Sequence, residues 1–83
     1  SLKKIMLIED DLDVARELEL SLRKWGFEVE IIDKFNDIVK KFIEKKPSLI
    51  LMDVNLPFYD GFYWCEKIRE LSKVPIIFIF KGF

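Results

Sequence analysis

The chain is 83 residues long, 51% apolar and 35% charged, with fourteen basic residues against fifteen acidic ones. That length holds one domain, the apolar runs fall far short of a bilayer span, and a net charge of −1 leaves no basic stripe suited to a nucleic-acid backbone. Histidine is absent and Cys65 is the only cysteine, which excludes phosphohistidine carriage, thiolate metal clusters and internal disulfides and leaves carboxylates to carry any chemistry.

Ser1-Leu2 reads as a cloning remnant, and Leu2 to Leu7, interrupted by Lys3 and Lys4, is too short for a secretory apolar region, so a cytoplasmic location is expected. Lys4-Ile5-Met6-Leu7-Ile8 is an apolar run cut off by Glu9-Asp10-Asp11, the pattern of a buried strand emerging at a sheet edge; a first strand is predicted over 4–9. From Leu12 the period becomes helical. Val14, Leu18, Leu22 and Trp25 share a face and Gly26 follows as a stop, giving a helix over 11–25 with Asp11 as its N-cap.

A second strand is predicted over 27–32, and Phe35, Ile38, Val39, Phe42 and Ile43 mark a second helix over 34–45 that fades into Lys45-Lys46-Pro47. Ser48-Leu49-Ile50-Leu51-Met52 is again solidly apolar and again ends in an acid, Asp53, giving a third strand over 48–53. After a loop containing Pro57, Asp60 caps a third helix over 61–71 in which Trp64, Cys65, Ile68 and Leu71 are spaced for burial, with Cys65 as core filler. Pro75 to Phe80 supplies a fourth strand over 75–80. Strands alternating with helices imply a parallel sheet with right-handed crossovers.

In such a sheet, ligands collect beyond the carboxyl ends of the strands, where Glu9, Asp10 and Asp53 all fall. If the first and third strands are neighbours, these carboxylates repel one another, and a divalent cation relieves the repulsion. Hard oxygen ligands with room for water suit Mg²⁺, and Mg²⁺ beside a carboxylate nucleophile suits phosphoryl transfer, with Asp53 the best-placed nucleophile. Acids at strand ends are also ordinary solvated punctuation, and Asp11 alone is a helix cap. Two acidic ends in one sheet favour the functional reading. Lys40-Lys41 and Lys45-Lys46 read as a solvated face without function. Of the aromatic run Phe58, Tyr59, Phe62, Tyr63 and Trp64, the core claims Trp64, while Phe58 and Tyr59 are expected at the surface.

Taken together, Ile5-Met6-Leu7-Ile8-Glu9-Asp10-Asp11, Leu51-Met52-Asp53-Val54-Asn55-Leu56-Pro57 and Tyr59-Asp60-Gly61 resemble the CheY-like receiver domain of bacterial response regulators over almost the whole chain. The run from Tyr59 to Cys65 is similar to receivers of the winged-helix class that answer antimicrobial-peptide or cell-envelope stress. The resemblance implies a flavodoxin-like, doubly wound α/β fold of strand order 2-1-3-4, one partial receiver domain over 1–83. It implies that Asp53 takes a phosphoryl group from a sensor histidine kinase, that Glu9 (through water) and Asp10 hold Mg²⁺ with Asp53, and that Asn55 adds its backbone carbonyl. Pro57 and Gly61 would shape the loop. Such a chain modifies itself rather than turning over a substrate, and reaches DNA only through an output domain absent from this sequence.

Two departures qualify the resemblance. Phe80 stands where the family places a Ser or Thr, and the fifth strand, with its terminal Lys, and the last helices are missing or not represented. Lys81-Gly82-Phe83 would stand in for the family's Lys-Pro-Phe, making Lys81 a phosphate partner. Lys81 beside Asp53 would support that reading, and a fourth strand running unbroken to the terminus would oppose it. An apolar fourth strand left at the sheet edge also implies a homodimer or strand-swapped oligomer. Two other functions stay in view: a haloacid-dehalogenase-type phosphatase, disfavoured because that family's Asp-x-Asp is here Asp53-Val54-Asn55, and a non-catalytic interaction module with a vestigial acidic pocket.

Overall fold

The structure is a computed structural model and describes residues 3–81, so Ser1-Leu2 and the Gly82-Phe83 part of the C-terminal motif lie outside the described residues. Its elements are β1 (Lys4–Ile8), α1 (Leu12–Lys24), β2 (Glu28–Ile32), α2 (Ile38–Lys45), β3 (Leu49–Asp53), α3 (Gly61–Arg69) and β4 (Ile76–Ile79). The four strands are parallel, as the alternating pattern implies, in the order β2-β1-β3-β4 that the family resemblance implies. No helix among the described residues is long and apolar enough to cross a membrane.

Strand alternation divides the core in two. Met6 and Ile8 of β1 pack with Ile38 of α2 and Trp64 and Ile68 of α3, whereas Leu7 points the other way onto Ala15 of α1 and Val29 of β2. Ile5 to Ile8 are therefore buried on both faces, which is why this strand is apolar at consecutive positions. Each side chain removed from water in this way contributes about 1.5–3 kcal/mol.

The helix starts are set by aspartates. Asp11 accepts from the Asp13 and Val14 N–H groups, Asp37 from Lys40 and Asp60 from Tyr63 at 2.9 Å. Asp37 explains why α2 begins at Ile38 and not at 34; Phe35 precedes the helix yet still packs against the core. Trp25 and Leu71 were expected on buried helical faces. Both are exposed, at 81% and 58%, because α1 ends at Lys24 and α3 at Arg69, and a helical face ends with its helix. Cys65 is partly buried against the core, and Trp64 lies within it. Among the described residues the fourth strand pairs only with β3, at the edge of the sheet as expected, and Ile77 is 54% exposed.

Phe58, in the loop between β3 and α3, has a φ of 71° with its ring 75% exposed. A left-handed backbone costs an L-residue about 1–2 kcal/mol, and an exposed ring recovers little of that by packing. Phe58→Gly is expected to raise stability by up to about 1 kcal/mol, after allowing for the greater freedom of glycine in the unfolded chain. Urea unfolding of the two proteins checks this; a lower midpoint in the variant would mean that the exposed ring makes a stabilising contact.

Candidate functional site

The β1–β3 register pairs Ile5 with Leu49 through to Ile8 with Met52, so the next residues, Glu9 and Asp53, leave adjacent strands side by side. Both are buried, at 1% and 0% exposure, while Asp10 is at the surface. One carboxylate oxygen from each of the three lies within 4.8 Å of the others. Backbone groups hold two of these acids in place. Glu9 Oε2 accepts from the Asp11 N–H at 3.0 Å and Asp53 Oδ1 from the Asn55 N–H at 3.1 Å.

Lys81 completes the cluster. Its Nζ lies 2.8 Å from Glu9 Oε2, 3.0 Å from Asp53 Oδ2 and 3.8 Å from Asp10 Oδ1, with the side chain 35% exposed. The contact with Glu9 is a hydrogen bond; the one with Asp53 Oδ2 is a charge contact whose angles fall outside hydrogen-bond geometry. Asp53 Oδ2 and Glu9 Oε1 are thus buried oxygens without a hydrogen-bond donor. Such orphaned acceptors are costly in a native fold unless something else engages them. A set of hard oxygen donors, two of them buried without a hydrogen-bond donor, fits a divalent cation.

Burial pushes the Glu9 carboxyl above its ordinary range, and the nearby Asp53 charge pushes the same way; the Lys81 hydrogen bond and the Asp11 N–H oppose both. The Lys81 ammonium is held charged to higher pH than usual, first by its hydrogen bond to Glu9 and then by Asp53.

The loop behind Asp53 is built around Gly61. Its N–H donates to the Val54 carbonyl at 2.8 Å, and a β-carbon there would overlap the Asp53 carbonyl oxygen and come within 3.1 Å of Val54 Cα. Only glycine lets the start of α3 approach β3 so closely.

The site therefore gathers Glu9, Asp10, Asp53 and Lys81, with Asn55 joining through its backbone N–H. The two observations bearing on Lys81 point in different directions: it lies beside Asp53, yet the backbone runs without a break from β4 into it. Lys81 thus reaches the pocket from the end of β4 and needs no fifth strand to do so. Sequence reasoning missed the backbone donors of Asp11 and Asn55, which no side-chain pattern signals.

The family model of the response regulator receiver domain matches residues 5–81. The chain belongs to this family. This receiver chain is 54% identical over 76 residues to the uncharacterized transcriptional regulatory protein YvcP of Bacillus subtilis (strain 168), covering 92% of the chain and 32% of that protein. It is 51% identical over 75 residues to the response regulator protein GraR of Staphylococcus saprophyticus, covering 90% of the chain and 34% of GraR. Among solved structures, the N-terminal domain of the nisin resistance regulator NsrR, a lantibiotic response regulator, superposes with a TM-score of 0.87 at 35% identity. That match covers 99% of this chain and 69% of the other. The receiver chain thus spans about a third of the length of the regulators it matches.

Replacing Lys81 by Met leaves the acids without their counter-ion. Lys81 has a raised folded-state pKa, so its contribution to stability is full at neutral pH and is lost only in strong alkali, provided its acids are ionised. Lys81→Met is expected to melt a few degrees below the parent at pH 7, with the gap closing as pH falls through the carboxylate range. Thermal melts at several pH values check this; a gap that widened in acid would contradict the ion pairing.

Proposed function

We propose that the receiver chain accepts a phosphoryl group on Asp53 from the phosphohistidine of a sensor kinase in the cytoplasm, and that an output domain outside this sequence reads the change at DNA. The observation that carries this reading is the state of the Asp53 carboxylate. Oδ1 is fixed by the Asn55 N–H, whereas Oδ2 is buried, without a hydrogen-bond donor, and faces the Lys81 ammonium. An oxygen that has no hydrogen-bond donor and faces only a cation able to pair with an incoming phosphoryl group can serve as the nucleophile.

In the transfer, Asp53 Oδ2 forms the new O–P bond as the P–N bond to the donor imidazole breaks, and the electron pair leaves with that imidazole. Lys81 is positioned to pair with the arriving phosphoryl oxygens. Phe80 carries no hydroxyl, so Lys81 is the polar side chain that the end of β4 offers. Glu9, Asp10 and Asp53 would hold Mg²⁺ with the Asn55 carbonyl, and the bound ion would neutralise charge on the transferring group. Each chain is modified once, without turnover.

Incubation with acetyl phosphate and Mg²⁺ is expected to add one phosphoryl group, read by intact mass, and Asp53→Ala to abolish it. An unchanged parent mass would overturn the reading, as would a modified variant. Turnover of p-nitrophenyl phosphate would favour the phosphatase alternative.

Lys81 and a divalent cation compete for the same oxygens, and like charges a few ångströms apart in a partly buried site repel strongly. Lys81→Met is therefore expected to bind Mg²⁺ several-fold more tightly by calorimetry. Unchanged affinity would place the metal away from the Lys81 ammonium.

A further inference from the structure

The acids at the carboxyl end of the sheet extend beyond the cluster around Lys81. The β1–β2 register pairs Lys4 with Glu28 through to Ile8 with Ile32, so Glu9 and Asp33 are the next residues of those two strands, side by side. Three neighbouring strands, β2, β1 and β3, thus run out in Asp33, Glu9 and Asp53. Their charge is balanced on one side only. Lys81 sits between Glu9 and Asp53, whereas Asp33 has no ion pair among the described residues.

On the β2 side of Glu9 lies a hollow of about 220 Å³. Glu9, Asp10 and Asp33 line it together with an apolar wall of Leu12, Ile31, Ile32 and Phe35; none of these residues is basic, and none comes from β3 or β4. The wall is held from behind. Ile32 and Phe35 belong to the core that includes Ile38, and Ile31 packs against the core on the α1 face of the sheet. Such a wall needs no rearrangement to receive a ligand.

The Glu9 side chain gives the independent sign that this hollow is a site. It is 1% exposed, and its two oxygens differ. Oε2 accepts from Lys81 Nζ at 2.8 Å and from the Asp11 N–H at 3.0 Å, whereas the buried Oε1 has no donor. A buried carboxylate oxygen left without a donor is unfavourable, and the neighbouring Asp10 and Asp33 offer none.

We propose that this hollow binds a small organic cation, a primary ammonium on a compact apolar body. The ammonium supplies the donor that Glu9 lacks and pairs with Asp10 and Asp33, while the body rests on Leu12, Ile31 and Phe35. Each half of the ligand is selected by half of the site. A bare metal ion leaves the apolar wall uncovered, and a neutral apolar molecule leaves the carboxylates unpaired. The volume sets the size, because drug-sized sites run to about 300–1,000 Å³ and this one suits a single ring or a short branched chain. The site is built from the ends of β1 and β2 and the residues that follow them, and it does not depend on phosphoryl transfer at Asp53.

Nuclear magnetic resonance of the ¹⁵N-labelled chain, titrated with 2-phenylethylammonium chloride at constant ionic strength, is the test. Saturable shifts are expected at the Leu12, Ile31, Ile32, Asp33 and Phe35 amides, with a dissociation constant on the order of 1 mM. Methylammonium, which lacks the ring, and 2-phenylethanol, which lacks the charge, are each expected to bind at least about ten-fold more weakly. Asp33→Asn removes one of the three charges, and Leu12→Lys sets a cation at the rim from a half-exposed position, so that either variant reports if the other fails to fold. Each is expected to weaken the amine several-fold. No saturable shift at these amides would overturn the proposal. So would equal binding of methylammonium or 2-phenylethanol, or an affinity that both folded variants leave unchanged.

Discussion

The structure turns on two carboxylates that are almost wholly out of water. Glu9 and Asp53 leave neighbouring parallel strands at the same end of the sheet, and burying either charge alone costs several kcal/mol. Lys81, 2.8 Å from one and 3.0 Å from the other, supplies the balancing charge, and two backbone N–H groups orient the acids. The compensation is incomplete, since Glu9 Oε1 and Asp53 Oδ2 keep no donor. A fold selected for stability alone would place apolar residues at these positions. Here Asp53 instead keeps one oxygen fixed by the Asn55 N–H and the other against the Lys81 ammonium.

The rest of the fold holds that pair in register. Continuous apolar side chains bury β1 on both faces, which fixes its place inside the sheet and brings its acidic end against that of β3. On the other side of Asp53, the absent side chain of Gly61 lets α3 begin against the Asp53 carbonyl, and Asp60 caps that helix in the same turn. The loop between them passes through Phe58 in a left-handed conformation. Asp53 therefore sits between a rigid strand and a tightly joined helix, and its backbone can shift little without disturbing both.

Much of this was legible in the sequence because it depends on local pattern. Two apolar runs ending in acids gave adjacent strands and their shared acidic end, and Asp11 and Asp60 announced the helix starts they cap. Trp25 and Leu71 misled because periodicity describes a helix without saying where it stops. The left-handed backbone of Phe58 was hidden, since an aromatic residue gives no sign of positive φ where glycine would. Lys81 was the hardest to place. A long, flexible side chain following a strand can reach many positions, so only the family resemblance suggested its pairing with Asp53, and that resemblance assigned the role to a different strand.

That substitution of origin ties the site to the edge of the sheet. In this chain the balancing cation follows β4 closely, and β4 pairs with β3. Each contact Lys81 makes with Glu9 or Asp53 therefore anchors the end of the outermost strand to the two inner ones. Beyond Ile79 the contacts that hold this end to the inner strands are the Val54 N–H to Ile79 carbonyl hydrogen bond and the ion pairs of Lys81, so its terminal anchor is largely electrostatic. Any cation or phosphoryl group that draws Lys81 to a new position changes the force on that end. The charge balance at Asp53 and the order of β4 are thus one problem, solved by a single side chain.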